Sequence, residues 1–261
     1  MGKNLNACMV SLSNLSFTYA HDRPIFRDFN WEVGKGESWA VLGPSGCGKT
    51  TLLYLLAGLR FPSSGQVLVD GQPLSRPRPQ TGLILQDYGL LPWATVQQNA
   101  ELGNKIRSFY GPDGKHAPVK FQGSANSEAW LNRLGLADVR QKYPGQISGG
   151  QRQRTAIART LTLDPDLLLM DEPFSSLDAP TREGLQDLIR ELWTENNLTM
   201  VTVTHSIEEA AVLGQQILIL TQPPTRQAVV LANPSAAQPG YRETAEYFDL
   251  TRELRARLGE G

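Results

Sequence analysis

A glycine-rich segment near the start of the chain has the residue types and spacing needed to bind phosphate. It fits the pattern G-x-x-x-x-G-K-[ST], in which glycines let backbone N–H groups surround a phosphate at a helix N-terminus. The lysine reaches the outer phosphate oxygens, and the hydroxyl that follows can ligate Mg²⁺. With the next threonine, the candidate nucleotide-binding residues here are Gly43, Pro44, Ser45, Gly46, Cys47, Gly48, Lys49, Thr50 and Thr51.

Two carboxylates follow an apolar run in the segment LLLMDEP, residues 167–173. The run predicts a buried strand, and ligands of open α/β sheets bind at the carboxyl ends of strands. Asp171 would hold Mg²⁺, and Glu172 would orient and deprotonate an attacking water. A strand that ends in two solvated acids is common, so this interpretation depends on the phosphate-binding segment.

A second glycine-rich helix start occurs in the segment ISGGQ, residues 147–151, which precedes the helical stretch RQRTAIARTLTL. Such a helix start suits an anion, although SGG alone also fits a flexible turn. The chain therefore contains two anion-binding candidates but one complete nucleotide site.

The elements that would position these residues alternate between strand and helix. We predict strands and helices that imply a parallel sheet covered on both faces. A mostly helical insertion is predicted at about 87–149, with a helix at 127–136, and a proline-rich stretch after residue 220 surrounds a strand at 228–231 and precedes a helix at about 241–258. The other predicted strands are 9–17, 29–33, 38–42, 66–69, 81–85, 167–170, 199–204 and 217–220, and the other helices are 49–59, 180–195 and 206–213.

The composition of the chain argues against several classes of protein. The chain has 261 residues, 40% of them hydrophobic, and a formal net charge of -1, so neither a basic field for nucleic acid nor an acidic excess is present. Cys8 and Cys47 lack metal-ligand spacing, and Cys47 falls inside the phosphate-binding segment. We therefore expect no disulfide framework, which favours a reducing compartment. We expect neither a signal peptide nor a membrane-spanning segment, so that any membrane role would come through a partner.

These motifs, taken in order, resemble those of the ABC ATPases over nearly all of residues 10–220. Residues 147–151 resemble the family's signature sequence, with Ile147 where leucine is usual. The resemblance implies an α/β P-loop NTPase fold with a RecA-like parallel-sheet core, an antiparallel β subdomain and an inserted helical subdomain at about 87–149. The nucleotide-binding domain would span 9–220, and 221–261 would form a carboxy-terminal extension.

The resemblance also implies roles for residues that spacing alone leaves open. Tyr19 would stack on adenine, although a core aromatic is the alternative, and Gln86 would contact Mg²⁺ and water and sense a permease. Asp178 would belong to the loop that crosses a dimer interface, and His205 would contact the γ-phosphate and Glu172. Ser148, Gly149, Gly150 and Gln151 would contact the ATP bound by a second chain, whereas His21 and His116 are expected to be surface residues.

The function implied is that of an ATP hydrolase that binds ATP and Mg²⁺, pairs with an identical or similar subunit, and powers a separate membrane permease from the cytoplasmic face. A periplasmic or extracellular solute-binding protein is expected as a further partner, and nucleic acid is not. The stretch LLPWATV, residues 90–96, resembles the nitrate/sulfonate/taurine group of importers. Trp93 could instead be a packing aromatic. Lipid or drug export also stays open.

Two other classes compete with a transporter subunit. A soluble ABC ATPase that acts on DNA or ribosomes would use the same motifs, but it usually has two cassettes or long coiled-coil insertions. A P-loop kinase for a small metabolite would share the phosphate-binding segment, yet it has no need of residues 147–151.

Overall fold

The computed structural model describes residues 8–19, 23–110 and 127–259, without the side chains of 107–110. His21, His116 and the part of the predicted insertion at 111–126 lie outside the described residues. The described residues form two compact units. The first unit comprises 8–77, 169–172 and 186–259, and the second comprises 78–168 and 173–185.

An antiparallel sheet of four strands opens the first unit, in the order β2-β1-β4-β5. Val10 pairs with both Val33 and Val69, so β1 lies between β2 and β4. The four strands are β1 (Cys8–Thr18), β2 (Pro24–Gly34), β4 (Ser64–Val69) and β5 (Gln72–Pro73).

A local irregularity in β1 keeps the apolar side chains of this strand on one face. Val10 and Leu12 are buried at even positions of β1, whereas Leu15 and Phe17 are buried at odd positions. The change falls at Asn14, which has a φ of 50° and sits where the pairing register shifts. One extra residue in a strand reverses which side chains face the core, and the bulge therefore restores the apolar face.

A parallel sheet forms the core of the first unit. Strand β3 pairs in parallel with β8 and β9, and β10 pairs antiparallel with β9 at the edge. All residues of β3 and β8 are buried, as expected of strands covered on both faces. The strands are β3 (Ser38–Leu42), β7 (Leu167–Asp171, of which 169–171 lie in this unit), β8 (Thr199–Val203), β9 (Gln216–Ile219) and β10 (Val229–Ala232).

Helices of the first unit differ from the prediction mainly at their ends. The predicted helix 49–59 ends early, because the chain turns at Gly58 and the Leu59 N–H bonds to the Tyr54 carbonyl at 2.9 Å. The predicted helix 241–258 is interrupted by Thr244, which adopts an extended conformation and caps the last helix with its hydroxyl. The observed helices are α1 (Lys49–Leu56), the end of α5 (Ala179–Asn196), α6 (Ile207–Leu213) and α7 (Ala245–Leu258), with a 3₁₀ turn at Tyr241–Glu243.

The prediction for β2 was too short. The predicted strand covers 29–33, whereas the observed strand begins at Pro24. Asp28, with a φ of 52°, shifts the alternation of buried residues between Phe26 and Phe29, so the sequence does not show one continuous pattern. Both phenylalanines are fully buried. The interruption that hides the strand in the sequence is thus a bulge within it.

Residues 221–259 belong to the first unit and pack against its strands and helices. Thr225 exchanges backbone hydrogen bonds with Ile25 and Arg27 of β2 at 2.9 and 3.0 Å. Leu254 of α7 is fully buried in a cluster that includes Ile207 of α6 and residues of β3 and β9. The domain boundary at residue 220 stays a prediction, but these residues contribute to the core of the unit.

The second unit is mostly helical. Helices α2, α3 and α4 pack on one another, and the Asn99 side chain holds the preceding turn through bonds to the backbone of Leu91, Ala94 and Thr95. The predicted helix 127–136 ends at Arg133. The elements are β6 (Thr81–Ile84), α2 (Val96–Tyr110), α3 (Ser127–Arg133), 3₁₀ turns at Ala137–Val139 and Pro144–Gln146, α4 (Gly149–Leu161) and the start of α5.

The predicted fold class is confirmed: the chain combines a parallel core sheet, an antiparallel sheet and a helical unit. Across the described ranges, no helix has the length and apolar character needed to cross a membrane.

We predict that Asn233 is a main anchor of residues 221–259. Its buried amide donates to the carbonyls of Ala211 and Gly214 at 2.7 and 2.8 Å, and its oxygen accepts from the Tyr241 hydroxyl at 2.6 Å. Asn233→Ala leaves these groups buried without partners and should lower the free energy of unfolding by about 3 kcal/mol. Tyr241→Phe removes one bond and should cost about 1 kcal/mol. Urea unfolding measures both, and equal losses would contradict this assignment.

Candidate functional site

The phosphate-binding segment joins β3 to α1, as the sequence predicts. The buried strand ends at Leu42, and α1 begins at Lys49 with Gly48 as its cap residue. The Lys49 ammonium donates to the carbonyls of Gly43 and Pro44 at 2.7 and 3.0 Å, which places it across the loop. The lysine is thus held where a phosphate bound to the loop would meet it.

Glycine is required at Gly48 for two reasons. Its φ of 103° is rare for residues with a side chain, and a Cβ there would lie 2.4 Å from the Cγ2 atom of Ile25. Gly46 also has a positive φ, of 77°, but a Cβ there would meet no atom within 4 Å. The loop therefore packs closely at Gly48 and stays open at Gly46, where a ligand can approach the backbone.

Cys47 lies behind the loop, with no exposed surface. Burial raises the pKa of its thiol, and the neighbouring Lys49 partly opposes this. Cys47 is therefore a packing residue of the loop in its neutral form.

The two predicted carboxylates lie at the end of β7. Thr50 donates its hydroxyl to Asp171 at 3.2 Å, which brings together the two predicted oxygen ligands of Mg²⁺ in the first unit. Burial raises the pKa of Asp171, the Thr50 hydrogen bond opposes that rise, and the charge of Glu172 adds to it. A hydroxyl and a carboxylate are the donors that a hard divalent cation prefers, so the residues present fit Mg²⁺.

Glu172 and His205 face each other. The Nδ1 atom of His205 lies 3.1 Å from Oε1 of Glu172. Glu172 has a φ of 45°, an uncommon conformation for a residue with a side chain, and its N–H still bonds to the Val203 carbonyl at 2.9 Å. Strained backbone of this kind persists where surrounding structure fixes it, and it often marks functional sites.

A cavity of about 510 Å³ opens above these groups. Tyr19 reaches it with its hydroxyl 3.1 Å from the Thr51 hydroxyl and with its ring edge-on to Phe17. The volume lies in the range of small-molecule and cofactor sites. The cavity is lined by Tyr19, Ile25, Ser45, Gly46, Gly48, Lys49, Thr50, Thr51, Glu172 and His205.

The remaining predicted residues lie in the second unit. Ser148 caps α4 reciprocally with Gln151: its hydroxyl accepts from the Gln151 N–H at 3.2 Å, and the Gln151 side chain accepts from the Ser148 N–H at 3.0 Å. A Cβ on Gly150 would lie 2.6 Å from Thr181, whereas Gly149 has more room. The signature segment is thus a rigid helix start with Ser148 exposed.

Asp178 is exposed at the beginning of α5. A hydrogen bond from Thr181 is the main cause that lowers the pKa of its carboxyl. Gln86 is exposed in the turn that follows β6. The roles assigned to Asp178 and Gln86 stay predictions.

Two residues that shape these sites were not predicted from the sequence. Ile25 lines the cavity and packs beside Gly48, but it precedes the predicted strand; the apolar pair Ile25-Phe26 was the signal available. Arg159 of α4 donates to the carbonyls of Tyr88 and Gly89 at 2.8 and 2.5 Å and so holds the turn after Gln86. Burial lowers the pKa of Arg159, and its partners are backbone atoms that no motif reveals.

The fold and the site together define a P-loop ATPase with a second, signature-type helix start. The chain belongs to the ABC transporter family, whose model matches residues 26–175. It is an ABC-type ATPase.

Relatives and solved structures agree with this assignment. The chain is 41% identical over 216 residues to the taurine import ATP-binding protein TauB of Yersinia pestis bv. Antiqua, which covers 83% of this chain and 81% of that protein. It is 39% identical to the nitrate import ATP-binding protein NrtC of Synechococcus elongatus, over 87% of this chain and 34% of that longer protein. A dimeric post-hydrolysis structure of the cassette MJ0796 bound to ADP and Pi matches with a TM-score of 0.71 at 28% identity, over 85% of this chain and 98% of that one.

We predict that Gly48 is less replaceable than Gly46. Gly46→Ala meets only the backbone penalty of a positive φ and should cost about 1 kcal/mol of the free energy of unfolding. Gly48→Ala adds the clash with Ile25 and should cost about 3 kcal/mol. Urea unfolding of the two variants provides the comparison. Equal costs would mean that the strand carrying Ile25 moves aside freely.

Proposed function

We propose that this chain is the ATP-hydrolysing subunit of an importer for a small solute of the nitrate, sulfonate or taurine type. The main support for this class of solute is the similarity to TauB over about four fifths of both chains. The LLPWATV stretch agrees with it. The chain would act as a pair of subunits on the inner face of the cell membrane, bound to a separate permease. A solute-binding protein would deliver the solute to that permease.

The Glu172 carboxylate is the proposed general base for ATP hydrolysis. It would take a proton from a water whose oxygen attacks the γ-phosphorus, while the bond from that phosphorus to the β–γ bridging oxygen breaks. His205, 3.1 Å from Glu172, would hold the carboxylate and contact the γ-phosphate. Lys49 would contact the β- and γ-phosphate oxygens from its place across the loop.

Thr50 and Asp171 are the proposed holders of Mg²⁺, with Gln86 as a further ligand. A bound Mg²⁺ would neutralise charge on the phosphate oxygens. Tyr19, which lines the same cavity, would stack on adenine.

The signature segment, in which Ser148 is exposed, supports the proposed pairing. Ser148, Gly149, Gly150 and Gln151 form a helix start suited to an anion, and each ATP would lie between this segment of one chain and the Lys49 loop of the other. Dimerisation and hydrolysis are therefore linked in the proposal, since each site needs both chains. Asp178 would lie at the interface between them.

We predict that Glu172→Gln binds ATP and dimerises but hydrolyses it about 100- to 10,000-fold more slowly, because the amide keeps the shape and cannot accept the proton. Turnover is measured by phosphate release, and dimerisation by sedimentation with ATP. Lys49→Ala is the comparison variant and should fail at the earlier step of ATP binding. Wild-type turnover by Glu172→Gln would disprove the assigned base.

The solute proposal predicts stimulation by a specific solute. The tagged chain, isolated from membranes of its source with its bound permease and reconstituted in liposomes, should hydrolyse ATP several-fold faster with the solute-binding protein and taurine or nitrate. Solute export from the liposomes' ATP-containing side would indicate an exporter instead. Copurification of ribosomal or DNA-bound proteins without any permease would support the soluble class of ABC ATPase, and phosphorylation of a metabolite would support a kinase.

A further inference from the structure

The ring of His205 is not held by packing. Its side chain is 64% exposed, yet its Nδ1 atom lies 3.1 Å from Glu172. An exposed ring can sample several rotamers, so the position of His205 depends on how firmly its own backbone is fixed. Thr204 and Ser206, on either side of it, are therefore the residues that decide where the ring can reach.

The hydroxyl of Thr204 both donates and accepts a hydrogen bond. The Oγ1 atom donates to Oε2 of Glu209 at 2.6 Å and accepts from the N–H of Ser206 at 3.0 Å. Thr204 and Glu209 are 1% and 4% exposed. A hydroxyl engaged as donor and acceptor in a buried place has one orientation, and this bridge spans the backbone of His205.

Ser206 closes the ring of hydrogen bonds. Its hydroxyl accepts from the N–H of Glu209 at 3.2 Å and so caps helix α6. In an ordinary capping box, the glutamate three residues after the cap accepts directly from the N–H of the cap residue. Here Ser206 donates that N–H to Thr204, and Thr204 in turn donates to Glu209. Thr204, the residue before His205, is thus part of the N-terminal cap of helix α6.

Helix α6 is itself braced by α7. Ile207 and Ala210 of α6 pack in the same buried cluster as Leu254. Glu208 accepts from the Ser206 hydroxyl at 3.1 Å and from Arg255 of α7 at 2.7 Å. The ion pair of Glu208 and Arg255 is exposed and contributes little, so the apolar contact is the main brace.

We infer that Thr204 and Glu209 are positioning residues for ATP hydrolysis, which hold the backbone of His205 so that its ring stays against Glu172. The inference rests on the proposed function of Glu172 and His205. A buried carboxylate is costly unless it is hydrogen-bonded, and the bond that Glu209 accepts from Thr204 ties its placement to the histidine loop. Neither residue needs to touch ATP.

The test compares two threonines on the same face of one chain segment. Thr204→Val keeps the shape and removes both hydrogen bonds, and it should lower kcat for ATP hydrolysis about 10- to 100-fold, because small displacements of reacting groups have effects of this size. KM for ATP and the stoichiometry of ATP binding should stay near wild type, since the Lys49 loop is untouched. Thr202→Val is the matched control: Thr202 is fully buried, and its hydroxyl has no hydrogen-bond partner among the described residues.

Conservative variants separate positioning from simple destabilisation. Thr204→Ser keeps the hydroxyl and should restore kcat, and Glu209→Gln keeps an acceptor and should retain more kcat than Glu209→Ala. All variants are assayed well below their unfolding midpoints. Wild-type kcat in Thr204→Val, equal losses in Thr202→Val and Thr204→Val, or no rescue by Thr204→Ser would each overturn the inference.

His205→Ala distinguishes this inference from the proposal on which it rests. If His205→Ala hydrolyses ATP at the wild-type rate, the role proposed for His205 fails and the inference fails with it. If His205→Ala is impaired while Thr204→Val is not, the role of His205 stands and only the positioning role of Thr204 and Glu209 is overturned.

Discussion

Two backbone hydrogen bonds hold the ends of β7, β8 and β3 in register, and the placement of the reactive side chains depends on them. The N–H of Glu172 donates to the Val203 carbonyl at 2.9 Å, and the N–H of Thr204 donates to the Val41 carbonyl at 3.2 Å. Every residue of β3 and β8 is buried, so backbone groups that lost these bonds through a shift in register would find no water to replace them. The acid after β7 and the histidine after β8 thus reach the same end of the sheet as the phosphate-binding loop after β3.

The sequence predicts this arrangement well where chemistry depends on short spacing. The segment from Gly43 to Thr50 needs its residues in one order to surround an anion, and Asp171 and Glu172, at the end of β7, directly follow a fully apolar run. Such features are local, and they are visible in one pass along the chain. The sequence is a poorer guide where two distant segments decide the outcome. The irregularity at Asp28 reverses the alternation of apolar residues in β2, so the first half of that strand and Ile25 within it were not predicted.

Partners that act through backbone atoms are equally hard to predict. Arg159 holds carbonyls 70 and 71 residues away, and any residue type offers a carbonyl. The sequence around Thr204 and Glu209 contains a signal, since Ser206, two further residues and Glu209 directly follow His205 in the pattern of a helix cap. That pattern predicts a helix start at Ser206, which the structure contains, but it does not predict that Thr204 enters the cap.

The shortness of α6 makes the site depend on the carboxy-terminal residues. A helix of seven residues is not stable in isolation, so its position comes from the surfaces packed against it. Leu254 supplies one of these surfaces from α7, and Asn233 bonds to carbonyls at the far end of α6. Residues 221–259 therefore fix the helix whose cap holds Thr204, and through it the backbone of His205. They are part of the support of the site, although none of them lines the cavity.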